Sequence, residues 1–107
     1  MDDILARLHV THEQIAAFCQ KWQIVRLELF GSVLRDDFDD QSDVDVLVTF
    51  AAGARVSLFR LVTAEEELKS LAGRSIDLVE RQSVEESPNW IRRRSILDST
   101  RIIYAAA

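Results

Sequence analysis

Gly31-Ser32 and Asp43-Val44-Asp45 are separated by ten residues, and each half falls where an apolar strand pattern meets a turn. Carboxylates at i and i+2 on a strand point to the same face, because side chains alternate with period two. A Gly-Ser that ends a strand lets the backbone approach phosphate oxygens closely and adds a hydroxyl to hold them. The chemistry these residue types suggest is the clamping of a magnesium-bound nucleotide. A third carboxylate, Asp77, lies inside a later apolar run, Ile76-Asp77-Leu78-Val79.

Bare carboxylates on neighbouring strands repel. At about 4 Å and an effective dielectric near 20, two unit charges cost on the order of 4 kcal/mol. Such a site either protonates or takes a cation. Hard oxygen ligands suit Mg²⁺, which binds one or two carboxylates and completes its shell with water and phosphate oxygens. Two such ions activate an attacking oxygen and stabilise a leaving pyrophosphate. Asp43 and Asp45 are then metal ligands, and Asp77 either ligates the second ion or takes the acceptor's proton. Asp36, Asp37, Asp39 and Asp40 read instead as a solvated acidic loop. Asp43 and Asp45 stand apart because they interrupt a run of valine and leucine, and Asp is a poor strand former. No EF-hand ligand pattern starts at Asp37 or Asp39, and no Walker-type phosphate loop is present.

The elements that must position these residues follow from periodicity. Thr11 and Gln14 form a capping-box pattern ahead of Ile15, Phe18, Cys19 and Trp22, predicting a helix over 12–22. Residues 24–30 alternate as a strand that Gly31-Ser32 closes. A short helical turn is expected around 32–36, an acidic loop to Ser42, and a second strand from Asp43 to Phe50. Its Val44, Val46 and Val48 share one face, and Asp43, Asp45 and Leu47 the other. Ser57 caps a helix whose apolar positions are Leu58, Leu61, Ala64, Leu68 and Leu71, with Gly73 just past its end. Ser75–Glu80 reads as a third strand beside the second, so that Asp77 faces with Asp43 and Asp45 if the register permits. Ser87-Pro88 predicts an N-cap and first helical residue of a helix to Leu97, and residues 101–104 a short fourth strand. A helical turn is also expected over residues 3–9. The fold class is α+β, a small mixed sheet with helices packed mainly on one side, as a single domain over residues 1–107.

Composition bounds the rest. A net charge of −5 argues against direct nucleic-acid binding through a generally basic surface. The single Cys19 excludes an internal disulfide and fits a reducing cytoplasm. No apolar run approaches the roughly 20 residues of a membrane span, and the acidic start Met1-Asp2-Asp3 lacks a signal-peptide layout. His9 and His12 read as surface residues and Cys19 as a buried hydrophobe. Trp22 and Trp90 read as packing residues rather than base-stacking ones, with a partner interface as the alternative for either, and Glu65-Glu66-Glu67 as solvent-facing. Arg92-Arg93-Arg94 is read as a solvated helix face, with phosphate, RNA or an acidic partner as alternative contacts.

Leu29-Phe30-Gly31-Ser32, the ten-residue gap, Ser42-Asp43-Val44-Asp45-Val46-Leu47-Val48 and Gly73-Arg74-Ser75-Ile76-Asp77-Leu78-Val79 together resemble the minimal nucleotidyltransferases (MNT) of the DNA polymerase β-like superfamily. The resemblance covers nearly the whole chain. It implies that Gly31 and Ser32 hold the nucleotide triphosphate, that Asp43 and Asp45 bind Mg²⁺, and that Asp77 completes a catalytic carboxylate triad. The implied reaction transfers AMP from ATP and releases pyrophosphate. Members of this size often act as the antitoxin partner of a HEPN-domain ribonuclease toxin, and some of them silence it by adding AMP to a tyrosine, which implies an antitoxin in a toxin–antitoxin pair. One departure is visible: Arg35 is followed by Asp36-Asp37 where many relatives carry glycine. Because so short a chain has no second domain to hold an acceptor, a protein substrate, in a homo- or hetero-oligomer, follows more naturally than a small molecule. The alternatives are an antitoxin that neutralises by binding alone and a transferase for a small acceptor such as an aminoglycoside.

Overall fold

The computed structural model describes residues 8–34 and 42–106, apart from the side chain of Ser32. Helix α1 (His12–Lys21) begins with the expected capping box. Thr11 Oγ1 accepts from the Gln14 amide at 3.1 Å, and Gln14 Oε1 accepts from the Thr11 amide at 2.9 Å. Reciprocal capping satisfies two of the amides that a helix start leaves without partners. Strand β1 (Ile24–Phe30) follows and runs directly into a 3₁₀ turn, Gly31–Leu34.

Strand β2 (Val44–Phe50) pairs antiparallel with β1. Helix α2 (Leu58–Ala72) crosses back over the sheet to strand β3 (Ile76–Glu80), which lies parallel to β2. Ser57 Oγ caps α2 at the Arg60 amide, and Gly73 ends it at φ +66°, the left-handed backbone that glycine adopts at least cost. A one-turn helix, α3 (Arg81–Glu85), then α4 (Trp90–Leu97), lead to strand β4 (Arg101–Ala105) on the other side of β1. The sheet order is β3-β2-β1-β4, a mixed four-stranded α+β arrangement.

Alternation divides the sheet into two faces. Leu27, Leu29, Val44, Val46, Val48, Ile76 and Leu78 face α1 and α2 and join Ile15, Phe18, Ala64 and Leu68 in the main core. Leu47 and Val84 are also buried but stand outside that cluster, on the face crossed by the short α3. The two longer helices thus share one face, and the carboxylates lie on the other. Among the described residues no helix is long and apolar enough to cross a membrane.

Several expectations are corrected. The last helix is capped by Asn89, whose Oδ1 accepts from the Arg92 amide, and not by Ser87; it starts at Trp90, beyond Pro88. Asn and Ser are near-equal caps, and the Ser87 hydroxyl instead accepts from the Asn89 amide at 3.3 Å. Helix α3 is an addition to the elements expected. The Glu65–Glu67 run is not simply solvent-facing. Glu65 Oε2 accepts from the Leu78 amide at 2.8 Å, on the outer side of edge strand β3, and Glu67 accepts from Trp22 Nε1 and Lys21. The expected turn at 3–9, except for Leu8 and His9, and the acidic stretch 35–41 that includes Arg35 lie outside the described residues.

Candidate active site

The parallel register of β2 and β3 answers the question that alternation left open. Asp45 is the register partner of Asp77, between Val44↔Ile76 and Val46↔Leu78. Since Val44, Ile76, Val46 and Leu78 all face the core, the two aspartates project together from the opposite face. Neighbouring strands place their Cα atoms about 4.8 Å apart. On the other side Asp45 is paired with Phe30, so one row across the sheet reads Asp77, Asp45, Phe30.

Gly31 stands immediately after Phe30 at φ +77°. A Cβ at this position would collide with Asp45 Oδ2 and lie 3.3 Å from its Cγ. The absent side chain is what lets the turn lie against the carboxylate. Asp43 is exposed and directly precedes β2. Its loop is anchored to the loop before β3: the Val44 amide donates to the Ser75 carbonyl at 3.0 Å, and Arg74 Nη2 donates to the Ser42 carbonyl at 2.9 Å. The structure brings Gly31, Asp45 and Asp77 together at one end of the open face, with Asp43 at the start of the same strand. Ser32 lies in the 3₁₀ turn beside them.

A cavity of about 390 Å³ opens against this turn, lined by Phe30, Gly31, Leu34, Ser95, Ile96 and Ser99. A larger one, about 560 Å³, lies at the other end of the face between Arg26, Thr49 and Arg81. No aspartate lines either cavity, but the smaller one includes Gly31, which packs against Asp45, so chemistry and size point to different places. Among the described residues no three His, Cys, Asp or Glu side chains form a ready-made metal cage. Mg²⁺ does not require one, because it retains water and phosphate oxygens in most of its shell.

One polar group on this face was not anticipated. Glu28, in the β1 row next to the carboxylates, is 2% exposed. Its Oε1 accepts from Arg81 Nη1 at 2.6 Å and its Oε2 from Thr100 Oγ1 at 2.8 Å. Burial would lower the Arg81 pKa, but the hydrogen bonds to Glu28 and then Glu85 outweigh it, and the guanidinium is held above its usual value. The trio ties β1 to α3 and to the approach of β4, and so secures the segments that follow Asp77. A glutamate between two leucines in a strand, Leu27-Glu28-Leu29, was the available signal. Of the remaining candidates, Trp22 packs against the core, with Arg60 5.6 Å from its ring centroid. Arg93 donates to the Ser87 carbonyl and Arg94 pairs with Asp98. His9 and His12 are exposed and Cys19 is buried.

Comparison with known proteins identifies the fold and the family. Protein adenylyltransferase MntA of Thermococcus cleftensis is 34% identical over 65 residues, 61% of this chain and 64% of that protein. The chain spans about 64% of the length of the curated relatives it matches. A solved structure named as a candidate minimal nucleotidyltransferase superposes with a TM-score of 0.64 at 28% identity, covering 84% of this chain and 86% of its own. The MNT antitoxin solved with tri-AMPylated HEPN toxin of Shewanella oneidensis shares the fold at a TM-score of 0.60 and 15% identity, over 89% of this chain and 70% of that one. The family model for the nucleotidyltransferase domain matches residues 12–103, and the chain belongs to that family.

Proposed function

We infer that this protein is a Mg²⁺-dependent adenylyltransferase that moves AMP from ATP to a hydroxyl of a partner protein, a tyrosine of a HEPN-type toxin, and thereby acts as its antitoxin. The observation that carries the reading is the row Asp77–Asp45 with Gly31 packed, without a Cβ, against the Asp45 carboxylate. Relatives named protein adenylyltransferase, and a fold shared with an MNT antitoxin solved with an AMPylated HEPN toxin, support the same choice. The buried lone thiol fits a cytoplasmic setting.

The donor set fits the metal: Asp43, Asp45 and Asp77 offer hard carboxylate oxygens, and Gly31 leaves room for a polyphosphate beside them. Two Mg²⁺ ions held by these aspartates would supply charge neutralisation for the triphosphate and a lowered pKa for the attacking hydroxyl. Gly31 and Ser32 bind the triphosphate, and the cavity beside Phe30 and Leu34 takes the rest of the nucleotide. In the reaction the acceptor oxygen forms a bond to the α-phosphorus. The bond from that phosphorus to the bridging oxygen of the β-phosphate breaks, and pyrophosphate leaves with the electron pair. Asp77, exposed at the edge of the row, takes the acceptor's proton. Residues 1–107 form one minimal nucleotidyltransferase domain in this reading, and the partner supplies the acceptor.

The test is to incubate the protein with labelled ATP, Mg²⁺ and the product of the neighbouring gene, and to weigh that product. A gain of one or more AMP masses that disappears with Asp43→Asn or Asp45→Asn is the expected result. A stable complex with no gain in mass would overturn adenylyl transfer and leave neutralisation by binding.

A further inference from the structure

Asp43 differs from Asp45 and Asp77 in standing outside the sheet. Strand β2 and its register with β3 both begin at Val44, and Asp43 is exposed one residue earlier. Membership of a strand therefore does not set its direction, as it does for the other two. A metal ligand binds well only when its orientation is fixed in advance by the groups behind it.

Both peptide groups that flank Asp43 are held by the segment leading into β3. The Ser42 carbonyl belongs to the peptide on the N-terminal side, and it accepts from Arg74 Nη2 at 2.9 Å. The Val44 amide belongs to the peptide on the C-terminal side, and it donates to the Ser75 carbonyl at 3.0 Å. A peptide group is rigid, so holding the planes on either side of Asp43 fixes the direction in which its Cα–Cβ bond leaves the backbone.

The two bonds make different demands on the sequence. The bond from Val44 joins backbone to backbone and is open to any residue at position 75. The bond to Ser42 needs a side chain that spans the gap between two loops and carries a donor at its tip. Arg74 supplies one, half-buried and charge-assisted. We propose that Arg74 is a positioning residue for the metal site: by holding the Ser42 carbonyl it orients Asp43 and so sets the affinity for the metal–nucleotide complex. Residues 74–77 then place two of the three carboxylates, Asp77 through its register with Asp45 and Asp43 through Arg74 and Ser75. The inference rests on the reading of Asp43 as a metal ligand.

An arginine just past the end of α2 also suits the carbonyl end of that helix. That role alone would leave metal binding unchanged. Binding of Mn²⁺–ATP, followed by the enhancement of water-proton relaxation as the ion enters the protein, separates the two without turnover. Arg74→Met keeps the stem and removes the donors. It should weaken binding about tenfold, the cost of losing a group that orients a metal ligand. Arg74→Lys keeps a charged donor and should recover part of that loss. Asp43→Asn should weaken binding as well. Adding Arg74→Met to it should cost less than about twofold more, because Arg74 acts through Asp43. The Mg²⁺ concentration that gives half-maximal AMP transfer should rise with Arg74→Met by the same factor, about tenfold. Circular dichroism and thermal denaturation confirm that the variants are folded, and Arg74→Lys, the milder change, tests the same bond with least disturbance. Unchanged Mn²⁺–ATP binding in Arg74→Met, no recovery in Arg74→Lys, or full additivity with Asp43→Asn would overturn the proposal and leave Asp43 as a ligand. An Asp43→Asn variant that binds Mn²⁺–ATP as tightly as the wild type would overturn the underlying reading instead, and the proposal with it.

Discussion

Gly31 and Asp45 are in contact through an atom that glycine lacks: a Cβ on Gly31 would overlap Asp45 Oδ2. The same residue sits at φ +77°, where an L side chain is strained. Gly31→Ala should therefore both destabilise the fold by about 1–3 kcal/mol and push the Asp45 carboxylate from its row. Gly73 provides the comparison. It too has positive φ, +66°, but nothing lies within 4 Å of its Cβ position. Gly73→Ala should cost about 1 kcal/mol and leave AMP transfer unchanged, whereas Gly31→Ala should abolish transfer beyond any loss of Tm. Thermal denaturation beside the transfer assay separates the two.

The shared row of Asp45 and Asp77 makes a second prediction, about metal. In EDTA Asp77→Asn, at an exposed side chain, should stay within about 1 kcal/mol of the wild type in stability. With Mg²⁺ and ATP the Asp45→Asn and Asp77→Asn variants should separate from the wild type. Ligand that binds only the folded state stabilises it in proportion to its saturation, and the wild type should gain Tm where the Asn variants do not. Equal shifts in wild type and both variants would place the metal elsewhere.

Much of this site could be read from the chain, and the reason is local. Valine alternation in β2 and the Thr11/Gln14 box are signals contained within a few residues, and they set the strand faces and the α1 start. Asp45 and Asp77 could be placed on the same face only up to register, because pairing between strands is a non-local choice. What escaped was decided by distant partners. Helix α3 is a single turn with one buried residue, Val84, and has no amphipathic period to betray it. Glu65 looks like its neighbour Glu66 in sequence, yet one caps the Leu78 amide and the other pairs with Lys69.

Glu28 shows the energetic side of the same point. Its carboxylate is buried between Arg81 and Thr100. Removing one member of a buried ion pair strands the other, typically at about 3–5 kcal/mol. A stranded Arg81 keeps partial access to water and a second partner in Glu85, which puts Glu28→Ala nearer the low end, whereas Arg81→Met strands the buried Glu28 carboxylate and lies nearer the high end. The double variant Glu28→Leu/Arg81→Met should be less destabilised than the sum of its singles. Urea denaturation of the four proteins gives the coupling directly, and additivity would show that the pair does not act as a unit.

Cys19 gives a prediction at high pH. Its thiol is fully buried on α1, and desolvation pushes its pKa from 9.0 up to about 12. The folded state keeps a proton that the unfolded chain has released, so this group's contribution to stability is complete below pH 9 and is lost as pH rises toward 12. Between pH 7 and pH 10.5 the loss from this group amounts to about 2 kcal/mol. Cys19→Ala is less stable at pH 7 because it leaves a small cavity, but its decline with pH should be shallower by that amount. Thiol labelling offers an independent reading. At pH 8 the native protein should react with a disulfide reagent at least about a hundredfold more slowly than the urea-unfolded chain, since only the thiolate attacks. A native rate close to the unfolded one would show that α1 opens readily from the core.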